Sequence, residues 1–157
     1  MLERVHTGSR WHSLRSALDG VTEAQAAWRP ADYRGFPFLD GSIAGLVFHV
    51  GGDHLFTISQ RFGDGALTWE RLEARWTGAG RTLAAARELL DQGYRAVCAQ
   101  LAAMSDADLR QSTTLDQRTV RNDELFALLI EHAAYHAGQI RYLRNLLEGQ
   151  TQRTHEA

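Results

Sequence analysis

Three observations predict an all-α protein, built as a four-helix bundle. The first is that only two prolines, Pro30 and Pro37, interrupt the 157 residues, and proline is the strongest breaker of a helix interior. The second is the repeat of Leu83, Leu90, Val97 and Met104, with Tyr94 and Leu101 between them. That spacing is the apolar stripe of a bundle helix. The third is the run from Asn122 to Glu148, whose inward face reads Leu125, Leu128/Leu129, His132, His136, Gln139/Ile140, Leu143 and Leu146/Leu147.

Length and composition narrow the class further. A chain of this size is most simply one domain and is long enough to bury a core. We take 1–150 as that domain and 151–157 as a polar tail. Hydrophobic residues make up 44% and charged residues 23% of the chain, the balance of a soluble globular protein. The formal charge is −2, with no long basic block. Phosphate backbones demand a concentrated positive patch, so nucleic acid, and with it direct DNA repair chemistry, is not the expected partner. No apolar run approaches the roughly 20 residues that span a bilayer. Met1-Leu2-Glu3-Arg4 leads into polar residues rather than an apolar signal core. A cytoplasmic protein without a membrane partner is expected.

Taken in order, Leu2 to Leu18 reads as a first helix, with Trp11, Leu14 and Leu18 at helical spacing. Asp19-Gly20 ends it, since glycine takes the left-handed cap conformation freely. Val21 to Trp28 adds a short turn, stopped before Pro30. Residues 31–41 form a loop carrying Tyr33, Phe36, Pro37 and Phe38, read equally as a lid on the core or as a substrate-contacting segment. Ser42 caps a second helix that runs to about Phe62. Its apolar flank also fits a strand, but its length and the face Leu46, His49, Asp53, Phe56, Gln60 favour helix. Gly51-Gly52 weakens it by about 1 kcal/mol per glycine and permits close approach of a neighbouring backbone or a kink. A short extra helix is expected from Thr68 to about Arg75, between the second and third long helices. The third helix runs from Arg81 or Thr82 to Met104. Ser105 to Arg121 is polar, a crossover or a small hairpin. Asn122 caps the fourth helix, Asp123 and Glu124 suit its positively polarised first turn, and Gly149 stops it.

Chemistry concentrates in the histidines. Cys98 is the only cysteine, which excludes an internal disulfide and a Cys-rich metal site. It sits beside Val97 and reads as packing. All seventeen basic residues are arginine, so lysine Schiff bases and lysine general bases are excluded. His132 and His136 stand one helical turn apart, so both imidazoles can reach one point. They form either a transition-metal half-site or a pair of core histidines. His49 lies mid-helix on the inward face of another helix and would supply a third imidazole. His54 points well away from His49 and reads as surface or interface; His155 lies in the tail. Asp53, on the His49 face, and Glu131 and Gln139, beside the pair, are candidates for orienting an imidazole. An ordinary salt bridge or interhelical hydrogen bond is an equal reading for each. Tyr135 points to a neighbouring face and reads as packing.

The segment His132-Ala-Ala-Tyr-His136-Ala-Gly138-Gln139-Ile140-Arg141-Tyr142-Leu143-Arg144, supported by Trp28-Arg29-Pro30, Ser42-Ile43 and His49-Val50, resembles the DinB/YfiT-like metal-binding four-helix proteins of the DinB superfamily. The resemblance implies an up-down-down-up bundle, a divalent metal on His49, His132 and His136, and a homodimer. Zinc, nickel and iron all suit three imidazoles. Members with known activity include transferases and isomerases that use a low-molecular-weight thiol, and hydrolase-like metalloenzymes. The resemblance selects none of these subgroups. The alternative reading is a dimeric stress-response or binding protein of the same fold, whose metal is structural or absent.

Overall fold

The computed structural model describes residues 1–34, 39–115 and 118–155. The expected first helix is broken. Arg4–Gly8 is a π-helical turn, and α1 spans only Leu14–Ala17. The hydroxyl of Ser9 accepts the N–H groups of Trp11 and His12. That competes with helix continuation, as serine hydroxyls do. Trp11 is left 66% exposed, whereas Leu14, Ala17 and Leu18 are buried. Gly20 takes the left-handed conformation at φ 70°, as expected of the segment's end. The short α2, Glu23–Ala27, follows, opened by a capping box between Thr22 and Gln25.

The long helices begin where expected. Ser42 accepts the N–H of Gly45 at 2.9 Å and starts α3, Ile43–Phe62. Thr68 caps the intervening helix α4, Trp69–Gly78. Thr82 caps α5, Leu83–Ala103, and the Glu23 carboxylate accepts two further N–H groups, of Leu83 and Ala84. An anion at that end also meets the positive pole of the helix. The polar stretch after α5 holds a one-turn helix α6, Asp106–Arg110, and an antiparallel hairpin. Its strands are β1, Ser112–Leu115, and β2, Arg118–Arg121, with Ser112 opposite Arg121.

The last helix, α7, spans Asn122–His155. Two expectations are corrected here. Asn122 lies inside the helix, and its side-chain amide donates to the Asp108 carbonyl; the Glu124 carboxylate takes the Arg121 N–H instead. Gly149 does not end the helix, because its φ is not positive and no left-handed cap forms there. A glycine within a helix costs only about 1 kcal/mol, so the chain continues past it. The side chain of His155 lies outside the described set, as do Phe36, Pro37 and Phe38 of the aromatic loop.

The core forms where the apolar stripes meet. Val47, Val50, Leu83, Ala86, Leu90, Ala133, Ala137 and Ile140 join Leu14 and Ala17 in the larger cluster. Phe48 stacks on Trp76 at 4.4 Å between ring centroids. Val97 joins Leu2, Phe126 and Leu129 in a second cluster, with Met104 and Cys98 packed against it. At Gly51 the backbones of α3 and α5 come into direct contact: a Cβ there would lie 2.5 Å from the Leu90 nitrogen. The α1 segment is held to α7 by arginines. Arg141 donates to Ser16 Oγ at 2.8 Å and Arg144 to the Ala17 carbonyl at 2.9 Å. Among the described residues, no helix is long and apolar enough to cross a membrane.

Candidate metal centre

The contact between α3 and α7 brings His49, His132 and His136 together. His132 Nε2 lies 3.0 Å from His49 Nε2 and 2.8 Å from His136 Nε2. The Nδ1 atoms of His132 and His136 have partners of their own. His132 Nδ1 is 3.0 Å from Asp53 Oδ2, and His136 Nδ1 is 2.7 Å from Gln139 Oε1. The Gln139 amide nitrogen donates in turn to the Tyr135 hydroxyl at 2.8 Å, which turns its oxygen end toward His136.

These contacts assign the tautomers. A carboxylate and an amide oxygen only accept, so the protons of His132 and His136 sit on Nδ1. The Nε2 lone pairs of His132 and His136 therefore face each other at 2.8 Å. Two lone pairs at that distance repel unless an electron-pair acceptor joins them. A divalent cation is such an acceptor, and nitrogens about 2.0–2.1 Å from one ion stand about 2.9–3.4 Å apart, from octahedral to tetrahedral geometry. The donor set fits a metal.

Electrostatics favour the same state. Burial pushes the His49 imidazole down to about 4, with His132 adding to the effect and Asp53 opposing it. Burial likewise brings His136 down to about 4, helped by His132 and His49. Both rings are then neutral near pH 7, with no proton to displace on binding a cation. Burial on its own would raise the Asp53 carboxyl. The hydrogen bond from His132 and the fields of His132, His54 and His49 outweigh it, holding Asp53 below its ordinary value.

Asp53 thus touches His132 rather than His49, the histidine of its own helix. Glu131 is exposed and makes no hydrogen bond to the three rings. Tyr135 does not pack in the core: it is 55% exposed and reaches the site through Gln139. His54 is fully buried rather than at the surface. The closeness of α3 and α5 at the glycines explains this, since a Cβ on Gly93 would lie 2.8 Å from the His54 Cβ. Burial drives the His54 pKa down to about 4, opposed by Asp53 and by the backbone of Leu129. Trp69 was missed in the sequence. Its ring stacks on His49, with centroids 5.8 Å apart, and only its place at the start of a capped helix hinted at a role. Trp69, Phe48, His49 and Leu39 wall a cavity of about 580 Å³ beside the triad.

A mostly helical chain with three imidazoles converging from two helices, two of them oriented by partners, defines a class: helical proteins with a candidate three-histidine metal centre. The sequence matches the DinB superfamily over residues 7–140, and the protein belongs to that superfamily. No curated protein and no solved structure matches the chain.

Proposed function

We propose that the protein is a metal-dependent enzyme in which His49, His132 and His136 hold one divalent ion, zinc, nickel or iron. The observation that carries this reading is that the His132 Nε2 lies within 3.0 Å of both the His49 and the His136 Nε2, with all three ligand atoms within 4.8 Å of one another. A three-histidine set leaves coordination positions open, the arrangement of catalytic rather than structural centres. A divalent ion there supplies Lewis acidity, which polarises a substrate oxygen or lowers the pKa of a bound water or thiol.

The chain's own residues prepare the site. Asp53 keeps His132 protonated on Nδ1, and Gln139 does the same for His136, so each Nε2 stays available. Trp69 covers one face of His49 and limits its contact with water. Among the described contacts, Asp53, Gln139, Tyr135 and Trp69 meet the three rings, and the chain has no lysine. In this reading the nucleophile comes from outside: a low-molecular-weight thiol in a transfer or isomerisation, or water in a hydrolysis. We also propose that the N-terminal segment completes an up-down-down-up bundle with α3, α5 and α7, and that the protein works in the cytoplasm as a homodimer. Light scattering on the eluting protein checks the last point, and a single monomeric species removes it.

The test is metal content of untagged protein. About one ion per chain is expected in the wild type and none in His132→Ala. Near-zero content after growth in metal-supplemented medium overturns the reading. Chelation separates the alternative of a structural metal: an enzyme with an open site keeps its helicity, whereas a structural site unfolds. Turnover of small electrophiles with and without added thiols then distinguishes transfer from hydrolysis.

A further inference from the structure

The side of α7 beyond His136 borders a second cavity, of about 630 Å³, whose walls include Tyr33, Arg34, Leu46, Tyr135, Gly138 and Tyr142. That volume is in the range of small-molecule sites. Leu46 and Leu143 give it a buried apolar floor, while Tyr33, Tyr135 and Tyr142 stand exposed around it. Gly138 opens one wall. A Cβ at Gly138 would meet nothing within 4 Å, and its φ is not positive. Neither backbone conformation nor helix packing therefore calls for glycine there; its effect is to leave space.

The polar end of the cavity is connected to the triad. The Tyr135 oxygen accepts a hydrogen bond from Gln139, and Gln139 accepts one from His136. A phenol that accepts still has its own hydrogen to donate, and no hydrogen bond among the described residues uses it. Arg34 adds a guanidinium to the same cavity, with Asp32 nearby. Mixed apolar walls with a few converging donors are the composition of a site for an amphiphilic small molecule.

We infer that this cavity is a binding subsite for an aromatic or compact apolar molecule bearing a carbonyl or carboxylate oxygen. The oxygen takes the Tyr135 hydrogen and faces Arg34; the apolar body rests on Leu46 and the tyrosine rings. A ligand held this way is three hydrogen bonds from His136, through Tyr135 and Gln139, so its binding restrains the Gln139 amide that fixes that ring. Binding itself does not depend on a metal; that the ligand is the substrate rests on the proposed metal-dependent activity.

Phenylacetate, an aryl group with one carboxylate, is a suitable probe. Titrated into the purified protein and followed by amide chemical shifts, it is expected to saturate at one site, moving the Gly138, Gln139 and Tyr142 signals. Gly138→Trp is expected to weaken binding at least tenfold, with metal content unchanged and melting temperature not lowered. Tyr135→Phe, which loses the donor without changing the ring, should weaken it by about three- to tenfold. Absence of saturable binding, or equal binding by Gly138→Trp, overturns the inference. Repeating the titration after chelation keeps the two readings apart: binding blocked by Gly138→Trp in metal-free protein supports the subsite whatever the metal analysis gives.

Discussion

Replacing Gly51 by alanine tests the packing that positions the site. A Cβ at Gly51 would stand 2.5 Å from the Leu90 nitrogen and 2.7 Å from the Leu90 Cα and the Leu89 carbonyl carbon. All three are backbone atoms, so no side-chain rotation relieves the overlap. Ordinary contact begins near 3.4 Å, so the two helices must separate locally by about 0.9 Å. Overpacking of this kind costs about 1–3 kcal/mol, and a rigid backbone partner places it near the upper end. Against this, alanine is about 1 kcal/mol better than glycine in a helix interior. The net expectation is a loss of about 2 kcal/mol, or roughly 4–8 °C in melting temperature for a chain of this size. Gly138→Ala is the control. It makes the same chemical change on a helix in open space and should raise stability by about 0.5–1 kcal/mol. Denaturation followed by circular dichroism at 222 nm measures both. If Gly51→Ala is as stable as the wild type, the α3–α5 contact is not the backbone-to-backbone seam described above. Because α3 carries His49 and Asp53, the same variant should also bind metal more weakly.

Further outcomes are expected at the site. Asp53→Asn removes the carboxylate that holds the His132 proton on Nδ1 and should weaken metal binding about 10- to 100-fold. Competition against a chelator measures this, and an unchanged affinity would show that Asp53 does not orient the ligand. The metal-free protein should lose stability on acidification. His49, His54 and His136 titrate at about 4 when folded against 6.5 for the free side chain, so the unfolded chain binds more protons between those values. Their contribution is fully present above pH 6.5 and is lost as pH falls toward 4, by at most about 1.4 kcal/mol per pH unit for each histidine. The lowered Asp53 carboxyl acts in the same direction at lower pH. A melting temperature that stays flat from pH 7 to pH 4.5 would contradict this. Substituting Trp69 with leucine removes the ring stacked on His49 and should raise solvent access to His49, read as a higher imidazole pKa in a proton titration by NMR.

Periodicity and caps were sufficient for most of the helices. The Ser42, Thr68 and Thr82 starts follow from hydroxyls accepting local N–H groups, an interaction contained within four residues. The heptad of α5 buries Leu83, Leu90 and Val97 as expected. Gly51-Gly52 signalled a close neighbour, which proved to be the backbone of α5 at Gly51 and the Trp69 ring at Gly52. Where the reading went astray, the deciding partner was distant or the choice was between near-equal local bonds. The break at Ser9 is of the second kind, as is the continuation of α7 past Gly149. The burial of His54 is of the first.

The sequence by itself determined an all-α chain, the pairing of His132 with His136 one turn apart, and the placing of His49 and Asp53 on one face of another helix. These are consequences of a fixed 3.6-residue period, which acts along a single helix. Tertiary structure alone decided which faces meet. It matched Asp53 with His132 across two helices and brought the Nε2 atoms of His49, His132 and His136 together. It laid Trp69 on His49 and put His54 inside. Relations between helices depend on crossing geometry and on how closely backbones approach, and no period within one helix encodes them.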